Sequence, residues 1–152
     1  MFDARVGSVM QRKSLLVAAP DISVAEAARR MAKKRVGALL VMRDEALAGI
    51  FTERDIAFRV VARGLDPEAT KVVDVMTPSP HTIESDEPFG AALIVMHDNG
   101  FRHLPVVEAG KLVGIVSSRS AMDPDLEEFA AEAQRRQHLR DEHARRQAAA
   151  KA

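Results

Sequence analysis

Gly49-Ile50-Phe51-Thr52-Glu53-Arg54-Asp55 decides how this chain is read. A short apolar run ends on Thr52, a residue suited to capping a helix. An acid follows three positions later, so the stretch predicts a buried strand passing straight into a helix. A second version, Gly114-Ile115-Val116-Ser117-Ser118-Arg119-Ser120, stands 65 residues downstream, and the same offset carries Met31 onto Met96. Two copies at so long a period indicate a pseudo-twofold duplication rather than a solenoid, which needs three or more units.

Working outward, each copy predicts the same order of elements. In the first, residues 6–10 make a short apolar-spaced turn and residues 14–17 a brief strand. Ser23 and Glu26 stand at capping-box spacing, so a helix should begin at Val24, with Val24, Ala27, Ala28 and Met31 inward and Arg29, Arg30, Lys33 and Lys34 in water. Residues 38–42 are continuously apolar and should form a strand covered on both faces. Residues 47–51 return as a second strand, and Thr52 opens a helix that runs to about Arg63 and ends at Gly64. Residues 72–76 echo 6–10, followed by a strand at 81–83, a helix at 88–99 with Phe89, Ala92, Leu93 and Met96 inward, and strands at 101–107 and 111–116. The expected architecture is α/β (α+β): two β-α-β-β-α repeats at 6–64 and 72–122, a linker at 65–71, and a tail at 123–152. Asp123 and Pro124 suit the start of that tail as a helix, and it has little to bury beyond Ala133.

Composition limits the function classes. The 152 residues are 47% hydrophobic and 29% charged, which fits a globular chain rather than a disordered one. With 22 basic and 22 acidic residues there is no overall field to attract nucleic acid or an anionic membrane. Cysteine is absent, which excludes disulfides, thiolate catalysis and cysteine-ligated metal. No apolar run reaches the roughly 18 residues of a membrane span, and the N-terminus lacks a signal-peptide layout, so a cytoplasmic location is expected. The five histidines show no metal spacing; His138 and His143 lie five apart, where one helix face needs three or four. Ser8, Ser117 and Ser118 have no evident base or nucleophile elbow nearby, and with no metal set either a non-catalytic protein is expected over an enzyme acting on nucleotides.

The duplicated element order, the paired openings ending in Met10 and Met76, the Met76-Thr77-Pro78 start and the twice-repeated Gly-Ile-x-[Ser/Thr]-x-Arg signature resemble a tandem pair of cystathionine-beta-synthase (CBS) domains, or Bateman module. The resemblance covers residues 6–122 and is to the small stand-alone bacterial type. It implies two repeats packed sheet to sheet, a homodimer, and a cleft between repeats for an adenosine-containing ligand: AMP, ADP or ATP, with NAD(H) or S-adenosylmethionine as further candidates. It also implies that the carboxylate of [Ser/Thr]-x-x-Asp takes the ribose hydroxyls while the Ser/Thr lies near phosphate.

Carried onto this chain, the ligand residues are Thr52, Arg54 and Asp55 in the first copy and Ser117, Arg119 and Ser120 in the second, with Val17, Ala38 and Leu39 as walls for the purine. An ionised Asp55 accepts two hydrogen bonds from a cis-diol, although Thr52 and Asp55 fit a plain capping motif equally well. Ser120 in place of Asp gives a weaker contact: about 1 kcal/mol for a neutral hydrogen bond against about 1.5–3 for a charged one, or roughly tenfold in affinity. Conversely, Arg102 and His103 stand where the first copy has Gly37 and Ala38, and the resemblance implies that they reach the phosphates of a nucleotide held by the other copy. One principal site per chain is therefore expected. Arg54 and Arg119 either neutralise phosphate or pair with surface acids such as Glu53. The competing expectation is a ligand-free adaptor homodimer that docks a partner protein through its tail.

Overall fold

The computed structural model describes residues 3–13 and 15–121. The predicted tail at 123–152 lies outside them. By internal contacts the chain divides into a unit Met1–Ser118 and a second unit Arg119–Ala152; the architecture that follows is that of the first.

Repeat one comprises α1 (Val6–Val9), β1 (Val17–Ala18), α2 (Val24–Lys34), β2 (Ala38–Arg43) and β3 (Ala46–Thr52), then α3, whose first turn Glu53–Asp55 is α-helical and whose continuation Ile56–Val61 is a π-helix. Repeat two comprises α4 (Val72–Val75), β4 (Thr77–Pro78), β5 (Ile83–Glu84), α5 (Phe89–Asn99), β6 (His103–Glu108) and β7 (Lys111–Ser117), ending in a 3₁₀ turn, Ser118–Ala121. The helix predicted to start at Val24 does so: the Ser23 hydroxyl accepts from the Glu26 backbone N–H at 3.1 Å. The capping box is only half made there, because the Glu26 carboxylate turns to Arg29 and Arg30. Val24, Ala27 and Met31 are buried and the four basic residues are exposed.

β2 is buried from Ala38 through Val41, as its unbroken apolar run requires. Alternation sends Leu39 and Val41 to the core under α2, together with Phe51, Val60 and Val72. Ala38 and Leu40 point the other way, with Ile50, onto Leu112 and Ile115 of repeat two. That second cluster is where the two sheets meet. Both hairpins turn on two residues with positive φ, Asp44 (50°) and Glu45 (63°) in one, Ala109 (49°) and Gly110 (77°) in the other, the twist that matches right-handed strands.

Several details differ from expectation. The short strand of repeat two is Ile83–Glu84, displaced toward the C-terminus from 81–83, and β6 begins at His103 rather than at 101. Leu93 is half-buried where full burial was expected. The helix after Thr52 leaves α geometry at Ile56. The 6–10 and 72–76 segments are single helical turns, and they cross over. The Val6 and Gly7 amides donate to the carbonyls of Glu87 and Ser85, and Gln11 bridges to Ile115, so the opening arm of repeat one completes the sheet of repeat two. Reciprocally, the Val72 and Val73 amides donate to Ile22 and Pro20, and β4 pairs with β3, giving sheets ordered β1-β2-β3-β4 and β5-β6-β7.

The crossing explains the glycines of the duplicated signature. A Cβ on Gly49 would lie 2.3 Å from Met76 Sδ, and one on Gly114 would lie 2.4 Å from Met10 Sδ. Each hairpin keeps a bare backbone so that the methionine of the opposite repeat can lie against it.

Candidate functional site

Between the repeats, a cavity of about 450 Å³ is lined by Thr52, Arg54 and Asp55 from the start of α3, and by Arg102 and His103 at the head of β6. The expected pairing of repeat-one carboxylate with repeat-two bases is thus one space. Phe58, Pro80 and Phe101 supply apolar wall, with the His81 and Phe101 rings 5.7 Å apart. Glu53 and Arg59 complete the charges, three arginines against two carboxylates.

Thr52 and Asp55 form a full capping box. Asp55 Oδ2 accepts from the Thr52 amide at 2.8 Å and from the Thr52 hydroxyl at 3.1 Å, and Thr52 Oγ1 accepts from the Asp55 amide at 3.4 Å. Asp55 is 8% exposed, and its other oxygen, Oδ1, stands 3.3 Å from Arg59 Nε. A carboxylate oxygen accepts about two hydrogen bonds, so Oδ2 is saturated and Oδ1 keeps one acceptor direction beside Arg59. Capping therefore uses most of what the sequence offered for a diol.

Arg54 donates to the Gly100 carbonyl at 2.7 Å and lies 5.1 Å above the Phe58 ring, bridging repeat one to the C-cap of α5. These contacts, and no ion pair with Glu53, are what Arg54 makes among the described residues. Arg102 is exposed at the rim and forms no ion pair among the described residues. Gly37, its counterpart by the 65-residue offset, has the Glu53 carboxyl carbon and the His103 ring each 3.3 Å from where its Cβ would be. A Cβ at 37 would require both of these cavity-lining side chains to give by a few tenths of an ångström. The backbone bond at this point recurs in both copies: Glu53 N–H to Gly37 at 3.1 Å, Ser118 N–H to Arg102 at 3.0 Å.

The remaining sequence-derived residues lie elsewhere. Leu39 is wholly buried in the repeat-one core and Ala38 faces the sheet–sheet contact. Val17 is 47% exposed on β1, and none of the three lines the cavity. Ser117 ends β7, Arg119 is exposed and Ser120 buried in the following 3₁₀ turn. Missed from sequence were Phe58, Arg59, Thr77 and His81. Arg59 carried a legible signal, its i,i+4 spacing from Asp55; Thr77 and His81 carried none, because they arrive on the crossed arm. No group of three or more His, Cys, Asp or Glu placed to hold a metal ion occurs among the described residues.

Comparison with known proteins gives the geometry a family. The CBS domain family matches residues 6–62 and 72–124. An uncharacterized conserved protein from Pyrococcus horikoshii superposes with a TM-score of 0.77 at 32% identity, covering 82% of this chain and 94% of that one. A CBS domain protein from Pyrobaculum aerophilum, complexed with AMP, superposes with a TM-score of 0.70 at 27% identity over 77% of this chain and 89% of its own. A CBS domain-containing protein of Arabidopsis thaliana is 47% identical over 95 residues, 62% of this chain and 18% of its own length. The chain spans 17–20% of the length of the curated relatives it matches first. No helix among the described residues is long and apolar enough to cross a membrane. With both of its repeats matched, and solved CBS proteins sharing its mixed α+β fold, the chain belongs to the CBS domain family as a tandem pair.

Proposed function

We propose that this protein is a non-catalytic sensor that holds one adenine nucleotide per chain, AMP, ADP or ATP, with NAD(H) or S-adenosylmethionine as further candidates, in the cavity between its repeats. The observation that carries the proposal is the joining, in one 450 Å³ space, of the Thr52–Asp55 junction with Arg102 and His103. The AMP held by the Pyrobaculum relative supports an adenine nucleotide here. Apolar wall from Phe58 and Phe101 suits a purine, and the arginine excess suits phosphate. Sensing follows when two ligands favour different conformations; tight binding by itself would not produce it.

A homodimer belongs to the same proposal. Phe58, Val61 and Leu65, at 61%, 69% and 40% exposure, leave an apolar flank along and just beyond α3. Val61→Glu, which is outside the cavity lining, should shift the protein toward monomer in light scattering.

Thermal-shift and calorimetric titration with AMP, ADP, ATP, NAD(H) and S-adenosylmethionine test the ligand. At a hundred times its dissociation constant a ligand stabilises by about 2.7 kcal/mol. Asp55→Ala should remove the response, and Ser120→Ala should leave it. Two equivalent sites per chain would overturn the asymmetry. Silence from every ligand would favour the adaptor homodimer with a protein partner, and turnover of any ligand would favour an enzyme.

A further inference from the structure

Arg59 makes a contact that neither capping nor ligand binding requires. It sits in the π-helical stretch of α3, where Ala62 N–H reaches back to the Ala57 carbonyl at 2.9 Å, a widened turn of the kind found at functional positions. Its Nε faces Asp55 Oδ1 at 3.3 Å, while Nη1 donates to the Val75 carbonyl at 3.0 Å and to the Thr77 hydroxyl at 3.3 Å. Val75 is the last residue of α4, so its carbonyl is one that the helix leaves without an internal partner. Thr77 opens β4, opposite Ile50. Met76 lies between them, seated on Gly49. One guanidinium thus joins the cavity carboxylate of repeat one to the crossed arm of repeat two at Val75 and Thr77, on either side of Met76.

We propose that Arg59 couples the occupancy of the cavity to the hold on the 72–78 arm. The coupling follows from how Asp55 is used. Its Oδ2 is saturated by Thr52, so any group that enters the cavity and contacts the carboxylate does so at Oδ1, the oxygen that faces Arg59, and by sharing its charge weakens that ion pair. Arg59 and Thr77 both line the cavity, so an anionic group there competes for the same guanidinium. In the first case the guanidinium loses the anchor that aims it at Val75 and Thr77, and in the second it is drawn from them; the arm then loses a forked, charged tie that a lysine does not reproduce. Repeat two has no equivalent: by the 65-residue offset its acid is Ser120, and residue 124 is Pro. Arg59 is a positioning residue, acting through Asp55 and through the arm.

Hydrogen exchange of the full chain tests this without any ligand. Arg59→Gln should speed exchange across residues 75–79 by about 5-fold or more, the lower end of typical coupling, and leave the β6–β7 hairpin unchanged. Asp55→Asn should speed the same segment less, and the double variant should match Arg59→Gln alone, because both changes cut one tie. Arg59→Lys, which retains the charge, should fall between wild type and Arg59→Gln and serves if the Gln variant fails to fold. No change at 75–79, a uniform rise in every segment, or additive effects of the two substitutions would each overturn the proposal.

A second measurement, with AMP, rests on the proposed function. Where calorimetry shows AMP bound, saturating AMP should alter exchange at 75–79 in wild type and not in Arg59→Gln; an equal change in both overturns the coupling. Absence of AMP binding would count against the proposed ligand, and the ligand-free comparison would still decide on Arg59.

Discussion

The two hairpin-to-helix junctions, residues 49–55 and 114–120, are built alike up to the helix and part company within it. Gly49 and Gly114 each receive a methionine from the opposite arm. Ile50 and Ile115 both face the contact between sheets. After that, repeat one has Asp55, locked to Thr52 and beside Arg59, and repeat two has Ser120. The glycine and isoleucine that hold the fold are duplicated, and so is Arg54, in Arg119; the cavity residues Asp55, Arg59, Arg102 and His103 are not. The cores show a subtler difference. Repeat one pairs a small helix residue, Val24, with a large strand residue, Phe51. At the equivalent offset, repeat two has Phe89 on the helix and Val116 on the strand, all four wholly buried. The volume is kept and exchanged between layers.

Truncation of the core sharpens that difference most. Phe51→Ala should cost about 3–5 kcal/mol, and Val116→Ala about 2 from two lost methyl groups. On the helices the order reverses, Phe89→Ala costing more than Val24→Ala. Equal losses at Phe51 and Val116 in urea denaturation would show that the two layers are not exchanged in this way.

The glycines come next. Gly49→Ala and Gly114→Ala should each cost about 1–3 kcal/mol by overpacking, since backbone carbonyls stand close behind the methionines, Thr77 O at 3.0 Å and Gln11 O at 3.2 Å from the added carbon. Met76→Ala in the Gly49→Ala background should recover part of the loss. A costly Gly49→Ala beside a harmless Gly114→Ala would mean that the N-terminal arm is the looser of the two.

Helix starts give a smaller contrast. Ser23→Ala should cost about 1 kcal/mol, whereas α5 begins at Pro88 without a side-chain cap, its first amide satisfied by the Ala4 carbonyl at 2.7 Å. Pro88→Ala should therefore lose no cap in the same assay.

The smallest effect concerns Glu26, whose repeat-two counterpart is Ala91. Its hydrogen bond from Arg30, with help from Arg29, holds its carboxyl below the ordinary carboxylate range. A lowered folded-state pKa contributes stability that is complete above the unfolded value and is lost as pH falls through the folded one. Glu26 is a surface group, so Glu26→Gln should barely move the denaturation midpoint at neutral pH and should flatten the acid side slightly.

Periodicity carried most of the fold. The 65-residue offset, the Ser23 cap and the unbroken run at 38–42 fix local elements whose burial follows from their own side chains. The joining of Asp55 with Arg102 and His103 in one cavity was expected from the family resemblance, applied at positions where the two copies differ. The crossed arms were not. A segment such as Val6-Gly7-Ser8-Val9 has apolar residues enough to pack on either sheet, and only three-dimensional closure decides which. Residues that reach the cavity on an arm, Thr77 and His81, were lost with it. The saturation of Asp55 Oδ2 was hidden for another reason: capping and diol binding need the same atoms at the same spacing.

The crossed arms also bear on how the chain is made. The arm at residues 6–11 is made about a hundred residues before its sheet partner Ile115. Until then Met10 and Gln11 have no β7 to lie against. The first sheet can close once Pro78 has left the ribosome, well ahead of the second. Closure of the two sheets is accordingly ordered along the chain: β1 to β4 are complete at Pro78, before any strand of the β5-β6-β7 sheet has been made.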